Sequence, residues 1–98
     1  MIRVSVLYPK SDGTTFDMDY YKTKHRDLCF QVLPDLKKMD VEQGLDGPYI
    51  AAGHLFFDNM EELQRSMGGA DAVKAQEDVR NYTNCEPAIQ ISQVIPVN

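Results

Sequence analysis

The chain has 98 residues, 43% of them hydrophobic and 26% charged, with a formal net charge of −5. That length fits a single domain, 1–98, with a modest core, and the composition is that of an ordinary globular protein. The acidic balance opposes a nucleic-acid partner, which needs clustered Lys and Arg, and no apolar run approaches the roughly 20 residues that span a membrane.

The chain starts Met-Ile-Arg-Val-Ser-Val, without a hydrophobic leader, so a cytoplasmic location is expected. Ile2, Val4, Val6 and Tyr8 alternate with Arg3, Ser5 and Leu7, which predicts a strand over residues 2–8. The polar stretch from Pro9 to Thr15 breaks it and reads as a mobile flap. Asp17 is then a good helix N-cap, and Phe16 before it is placed to staple against Tyr21. Met18, Tyr21, His25, Leu28, Cys29 and Val32 share one helical stripe, and Pro34 ends the helix at or just before Leu33.

Met39, Val41 and Gly44-Leu45 suggest a half-exposed strand within residues 37–45, closed by the Asp46-Gly47-Pro48 turn. Residues 49–57 are almost wholly apolar, as expected of a central strand covered on both faces. Asn59 and Glu62 form a capping box for a second helix, with Met60, Leu63 and Met67 inward and Gly68-Gly69 ending it. A shorter helix is predicted from about Asp71 to Arg80, with Ala72, Val73, Gln76 and Val79 inward. Ile89, Ile91 and the Val94-Ile95 pair make the last strand, broken by Pro96.

The order is β-α-β-β-α-β, the split βαβ or ferredoxin-like arrangement of an α+β fold, in which a four-stranded antiparallel sheet carries helices on one face. The apolar 49–57 strand requires its other face to be covered as well. Two such sheets packed face to face, a homodimer forming a dimeric α/β barrel, satisfy that requirement.

His25 is the most informative residue, because helical spacing points it at the sheet between Tyr21 and Cys29. A buried neutral imidazole needs partners for its nitrogens, so a hydroxyl or carboxylate belongs beside it. It is either a core histidine bonded to Tyr21 or a backbone carbonyl, or a general acid or base shifted by burial. His54 lies in the apolar strand beside Ala51, Ala52 and Gly53; it faces either the helices, sharing a pocket with His25, or the dimer interface. Tyr20, Tyr21, Tyr49 and Tyr82 offer hydroxyls able to polarise a carbonyl or phenol. With two histidines on separate elements and no His-x-x-x-His, no metal site is expected. No glycine-rich phosphate loop is present, so no nucleotide cofactor is expected either. Cys29 and Cys85 read as reduced thiols with no nucleophile context.

The stretch Phe16-Asp17-Met18-Asp19-Tyr20-Tyr21-Lys22-Thr23-Lys24-His25 resembles the start of the EthD family, named for ethyl tert-butyl ether degradation, whose hallmark there is a Tyr-Tyr pair followed by Lys-His. Gly44-Leu45, Pro48-Tyr49, Gly53-His54-Leu55-x-Phe57-Asp58, Asn81-Tyr82-Thr83 and Glu86-Pro87-x-x-Gln90-Ile91-Ser92 are similar to its later blocks, in order along nearly the whole chain. Leu28 to Lys38 and Gly68-Gly69-Ala70-Asp71 show no family pattern. The resemblance implies the dimeric α/β barrel superfamily, whose members include cofactor-independent monooxygenases, polyketide cyclases, muconolactone isomerase and haem-binding enzymes. It also implies association with an oxidative degradation system, hence an oxidoreductase-linked role in catabolism.

The expectation is therefore a catabolic enzyme or accessory enzyme, without a cofactor, acting on a small hydrophobic or aromatic carbonyl substrate. His25 would shuttle a proton, and His54 with Tyr21 or Tyr82 would orient the substrate or stabilise an oxyanion. The competing expectation is a noncatalytic small-molecule-binding or stress-associated homodimer in which the histidines are structural.

Overall fold

A computed structural model describes residues 1–97. Strand β1 (Ile2–Pro9) leads through a loop to a continuous helical segment made of α1 (Met18–Tyr20), a π-helical stretch (Tyr21–His25) and α2 (Arg26–Val32). Strands β2 (Lys38–Gln43) and β3 (Tyr49–Phe57) follow, then helices α3 (Met60–Met67) and α4 (Val73–Glu77), a 3₁₀ turn (Asp78–Asn81) and β4 (Ala88–Gln93). The strands form one antiparallel sheet in the order β2-β3-β1-β4, the ferredoxin-like arrangement expected from the element order.

Strand alternation sorts the sheet into two faces. Ile2, Val4 and Tyr8 pack towards the helices with Ala51, Leu55 and Phe57 of β3 and with Met39 of β2. The opposite face carries Arg3, Ser5 and Leu7 beside Phe56, His54 and Ala52, flanked by Lys38, Asp40 and Glu42. Leu7 and Phe56 stand outside the hydrophobic core cluster, since no helix covers them.

The first helix starts as expected: the Asp17 carboxylate accepts from the Tyr20 N–H at 3.1 Å, and the Phe16 and Tyr21 rings meet edge to face at 5.1 Å. Asn59 likewise accepts from the Glu62 N–H at 2.8 Å. Four expectations need correction. Of the stripe Met60, Leu63 and Met67, only Leu63 is buried, and Ser66 shares the inner side because its hydroxyl is engaged by the Asp35 backbone N–H. The third helix loses its α geometry after Glu77 and tightens into the 3₁₀ turn, so Val73 and Gln76 are exposed while Ala72 and Asp78 are buried. Strand β4 ends at Gln93, before Val94-Ile95, because β1 has no further residue to pair with; the Val94 N–H reaches the Met1 carbonyl instead.

The stretch read as a flap is tied down. Asn84 accepts from the Thr15 N–H at 3.0 Å and donates to the Gly13 carbonyl at 2.9 Å, while the Thr83 hydroxyl donates to the Thr15 carbonyl. The Asp17 N–H then bonds the Tyr82 carbonyl at 2.7 Å. These contacts lock the start of the first helix to the loop carrying Tyr82, and so position the site described next.

Candidate active site

The π-helical stretch sets the geometry of Tyr21 and His25. In a regular α-helix, residues four apart are about 40° out of phase. Here the Arg26 N–H reaches back to the Tyr21 carbonyl, five residues earlier, so the turn that joins the two side chains is widened. Their rings stack at 5.2 Å with only 15° between planes. Both residues are buried, and Tyr21 lies against Gly53, where any Cβ would fall on the tyrosine hydroxyl. The small residues of β3 therefore serve close packing of the helix on the sheet.

On its other side, His25 meets a carboxylate. Its Nδ1 lies 2.9 Å from Asp78 Oδ2, and both side chains are about nine-tenths buried. The remaining carboxylate oxygen, Oδ1, accepts from the Tyr20 hydroxyl at 2.7 Å and the Asn81 amide at 2.9 Å. Burial raises the Asp78 pKa, yet the Asn81, Tyr20 and His25 hydrogen bonds together outweigh it and hold the carboxyl below its ordinary value. Burial likewise pushes the His25 pKa below its ordinary value, only partly opposed by the hydrogen bond and charge of Asp78. The pair at neutral pH is thus an ionised aspartate and a neutral imidazole. An ionised carboxylate only accepts, so Nδ1 carries the proton and Nε2 presents its lone pair.

That lone pair faces two other groups: Cys29 Sγ at 3.4 Å and the Tyr82 hydroxyl at 3.5 Å. The Tyr82 and Tyr8 hydroxyls are 2.6 Å apart. Burial drives the pKa values of Tyr8, Tyr21 and Tyr82 far above the ordinary phenol value, and that of Cys29 up to about 12, so all four stay protonated at neutral pH. The resulting cluster holds one base, His25 Nε2, among neutral donors. It lines a cavity of about 770 Å³ whose other walls include Val4, Val6, Leu55, Met67 and Ile89. Among the described residues, no group of three or more His, Cys, Asp or Glu side chains is arranged to hold a metal ion.

The site therefore unites three of the four expected residues, His25, Tyr21 and Tyr82, and leaves His54 out. His54 sits on the opposite face of the sheet, paired across strands with Ser5 and Asp40. Its Nδ1 is 2.9 Å from the Ser5 hydroxyl and its Nε2 is 2.8 Å from a carboxylate oxygen of Glu42. The reason is register: Gly53 and Leu55 take the helix side to receive Tyr21 and the core, so the residue between them points away.

The sequence matches no family model and no curated protein. Among solved structures, an EthD-like protein from Ralstonia eutropha is 30% identical, superposes with a TM-score of 0.88, and is matched over 99% of this chain and 94% of that one. The chain belongs to the EthD family. A second EthD-family protein, from Bacillus halodurans, is 18% identical with a TM-score of 0.77, over 97% of this chain and 99% of that one. A dimeric protein of unknown function with a ferredoxin-like fold, from Bacteroides fragilis, is 12% identical with a TM-score of 0.60, each chain being covered over 95%. At these lower identities the likeness is one of fold.

Two members of the cluster in this EthD-family chain escape a sequence reading: Asp78 and Tyr8. An aspartate among Lys74, Glu77 and Arg80 reads as part of a solvated face. The available signal is the requirement for a hydroxyl or carboxylate beside a buried His25. It cannot select Asp78 without knowing where the α-helix tightens. Tyr8 ends the helix-side row of β1, and only the tertiary fold brings its hydroxyl to Tyr82.

Proposed function

We propose that this EthD-family protein is a small-molecule enzyme in which His25 acts as general base, and then general acid, on a hydrophobic or aromatic carbonyl compound. The observation that carries this reading is the 2.9 Å bond from His25 Nδ1 to a buried, triply hydrogen-bonded Asp78, which leaves Nε2 as a lone pair on a largely apolar cavity. Nε2 takes a proton from the carbon beside the carbonyl, and negative charge develops on the carbonyl oxygen. With Tyr8 as the donor of their 2.6 Å hydrogen bond, the Tyr82 hydroxyl keeps its own proton free to donate to that oxygen. The imidazolium, stabilised by Asp78, returns the proton at the end. Tyr21 positions the ring by stacking on it. An oxidoreductase-linked role in catabolism is part of this reading and rests on family membership.

The dimeric α/β barrel belongs to the same proposal. Two copies pair through the sheet face that bears Leu7, Ala52 and Phe56 and no helix. The dimeric Bacteroides fragilis protein of like fold supports this assembly.

Exchange of the protons next to the carbonyl of β-tetralone into heavy water, followed by proton NMR, tests the chemistry. The wild-type protein should accelerate exchange with saturation, and His25→Gln should return it to the buffer rate. One observation favours a noncatalytic binder: His25 is only 5% exposed, with groups near both nitrogens. Saturable binding of aromatic ketones with no exchange above buffer would establish that reading and end the catalytic one.

A further inference from the structure

One nucleophile in the cluster is left unused by proton transfer from carbon. Cys29 stands four residues after His25, on the regular turns of α2, so the two side chains meet on one face of the helix. Its Sγ lies 3.4 Å from His25 Nε2, the nitrogen that presents a lone pair, so the thiol is the donor. Asp78 orients the ring from the other side, through Nδ1 at 2.9 Å. Beside the His25–Asp78 dyad the thiol thus completes a row of nucleophile, base and orienting carboxylate, the arrangement that activates a weak nucleophile.

A second thiol provides the comparison. Cys29 and Cys85 both line the cavity, so an apolar compound held there meets both. Cys85 is the more exposed of the two, yet its hydrogen-bond partner is the Thr83 hydroxyl, at 3.3 Å, and not an imidazole.

The geometry points to Cys29 as a nucleophile that adds reversibly to the β-carbon of an α,β-unsaturated aromatic ketone, with His25 taking the thiol proton. Burial pushes the Cys29 thiol up to about 12 and holds the imidazole below its ordinary value, so no thiolate–imidazolium pair stands ready at rest. The proton instead passes from Sγ to Nε2 as the S–C bond forms. The C=C electron pair shifts towards the carbonyl, whose oxygen takes the negative charge and accepts from the Tyr82 hydroxyl, 3.5 Å from Nε2. In this enolate the bond between the α- and β-carbons is single and rotates. Reversal re-forms the double bond, expels the sulfur and returns its proton from the imidazolium. The net reaction is cis–trans isomerisation, which consumes no co-reactant. Transfer of the imidazolium proton to the α-carbon instead gives the saturated thioether adduct. The inference rests on the cavity and base of the proposed function and adds a covalent step and a substrate class.

cis-Chalcone, an aromatic α,β-unsaturated ketone, is the probe. Its conversion to trans-chalcone is followed by absorbance. Thioether adducts are fixed with borohydride, which removes the carbonyl that elimination needs, and mapped by mass spectrometry. The two thiols fall in separate tryptic peptides, 27–37 and 81–98. The protein should accelerate isomerisation with saturation, and adduct on Cys29 should exceed that on Cys85 by about tenfold or more. Cys29→Ser should slow isomerisation about 100-fold, and His25→Gln should slow labelling of Cys29 by a similar factor. Should His25→Gln not fold, the adduct ratio in the wild type decides alone. Adduct confined to Cys85, equal labelling of the two thiols, or undiminished isomerisation by Cys29→Ser overturns the inference. β-Tetralone has no electrophilic β-carbon, so its exchange reads the base alone. Exchange without a Cys29 adduct leaves the general-base reading standing and removes the nucleophile; a Cys29 adduct without exchange does the reverse.

Discussion

A histidine lies on each side of the sheet, His25 in the helical layer and His54 in β3, and each is bonded to a carboxylate at nearly the same distance: 2.9 Å for His25 and Asp78, 2.8 Å for His54 and Glu42. The surroundings differ. Asp78 is 10% exposed and takes two further hydrogen bonds, whereas the Glu42 side chain is 62% exposed. The first pair is fixed in one geometry by burial and by the further donors on Asp78; in the second, the carboxylate side chain lies mostly in solvent. Bond length thus says little about chemical potential, and the satisfaction of the carboxylate says much.

The sharpest way to break this contrast is to neutralise each carboxylate in turn. In Asp78→Asn, the amide can donate to Nδ1, forcing the proton onto Nε2 and removing the base. The β-tetralone exchange rate should fall on the order of 1,000-fold. Glu42→Gln should leave it within about twofold. Equal losses for the two variants would sink the distinction.

Packing behind the dyad gives the next effect. Gly53→Ala places a methyl group where the Tyr21 hydroxyl now rests, with Met39 also close by. Tyr21 must move, and the ring stacked on His25 with it. A loss of about 1–3 kcal/mol in urea unfolding is expected, accompanied by a fall in exchange rate. A stable, fully active variant would show that Tyr21 does not position the imidazole.

Acid should act on the buried dyad as well. His25 in the folded chain titrates below its ordinary value, so just below about pH 6.5 the unfolded chain holds a proton that the folded chain does not. Stability therefore falls as pH drops from about 6.5 until folded His25 also protonates. Asp78, held low by its donors, adds a further loss below about pH 3.9. Thermal melts from pH 8 to pH 5 should show this slope, and His25→Gln should flatten it. The exchange rate should lose its base over the same acid side, with its midpoint below about 6.5. A smaller effect belongs to Tyr20→Phe, which removes one donor from Asp78. Exchange should slow by about tenfold as Asp78 becomes less firmly oriented.

Much of this was legible in the residues. The Asp17 cap, the Phe16–Tyr21 contact, the inward stripe of Tyr21, His25, Cys29 and Val32, and the strand alternation are local patterns that burial preserved. Helical spacing aimed His25 inward because a one-residue turn error would have exposed the whole stripe. What stayed hidden depends on long-range placement. Asp78 and His25 are 53 positions apart, and Tyr8 and Tyr82 are 74 apart. Whether Asp78 faces in or out hinges on the shift from α to 3₁₀ geometry after Glu77, which no period in the residues announces. The side taken by His54 was undecidable for another reason: residues 49–57 are apolar on both faces, so alternation there has no contrast to read.

The smallest expected effect is the most informative about that face. His54→Gln keeps a side chain able to bond Ser5 or Glu42 from an uncovered part of the sheet. It should cost about 1 kcal/mol or less in a single chain and leave exchange within about twofold of wild type. A pairing of two open faces would bury His54 against the second copy, where an imperfectly matched polar group is more costly than in water. Weaker self-association with unchanged catalysis would place His54 at the interface. A slowed exchange reaction in a dimer of unchanged affinity would mean that the two faces of the sheet are coupled, and the division drawn between the two histidines would have to be abandoned.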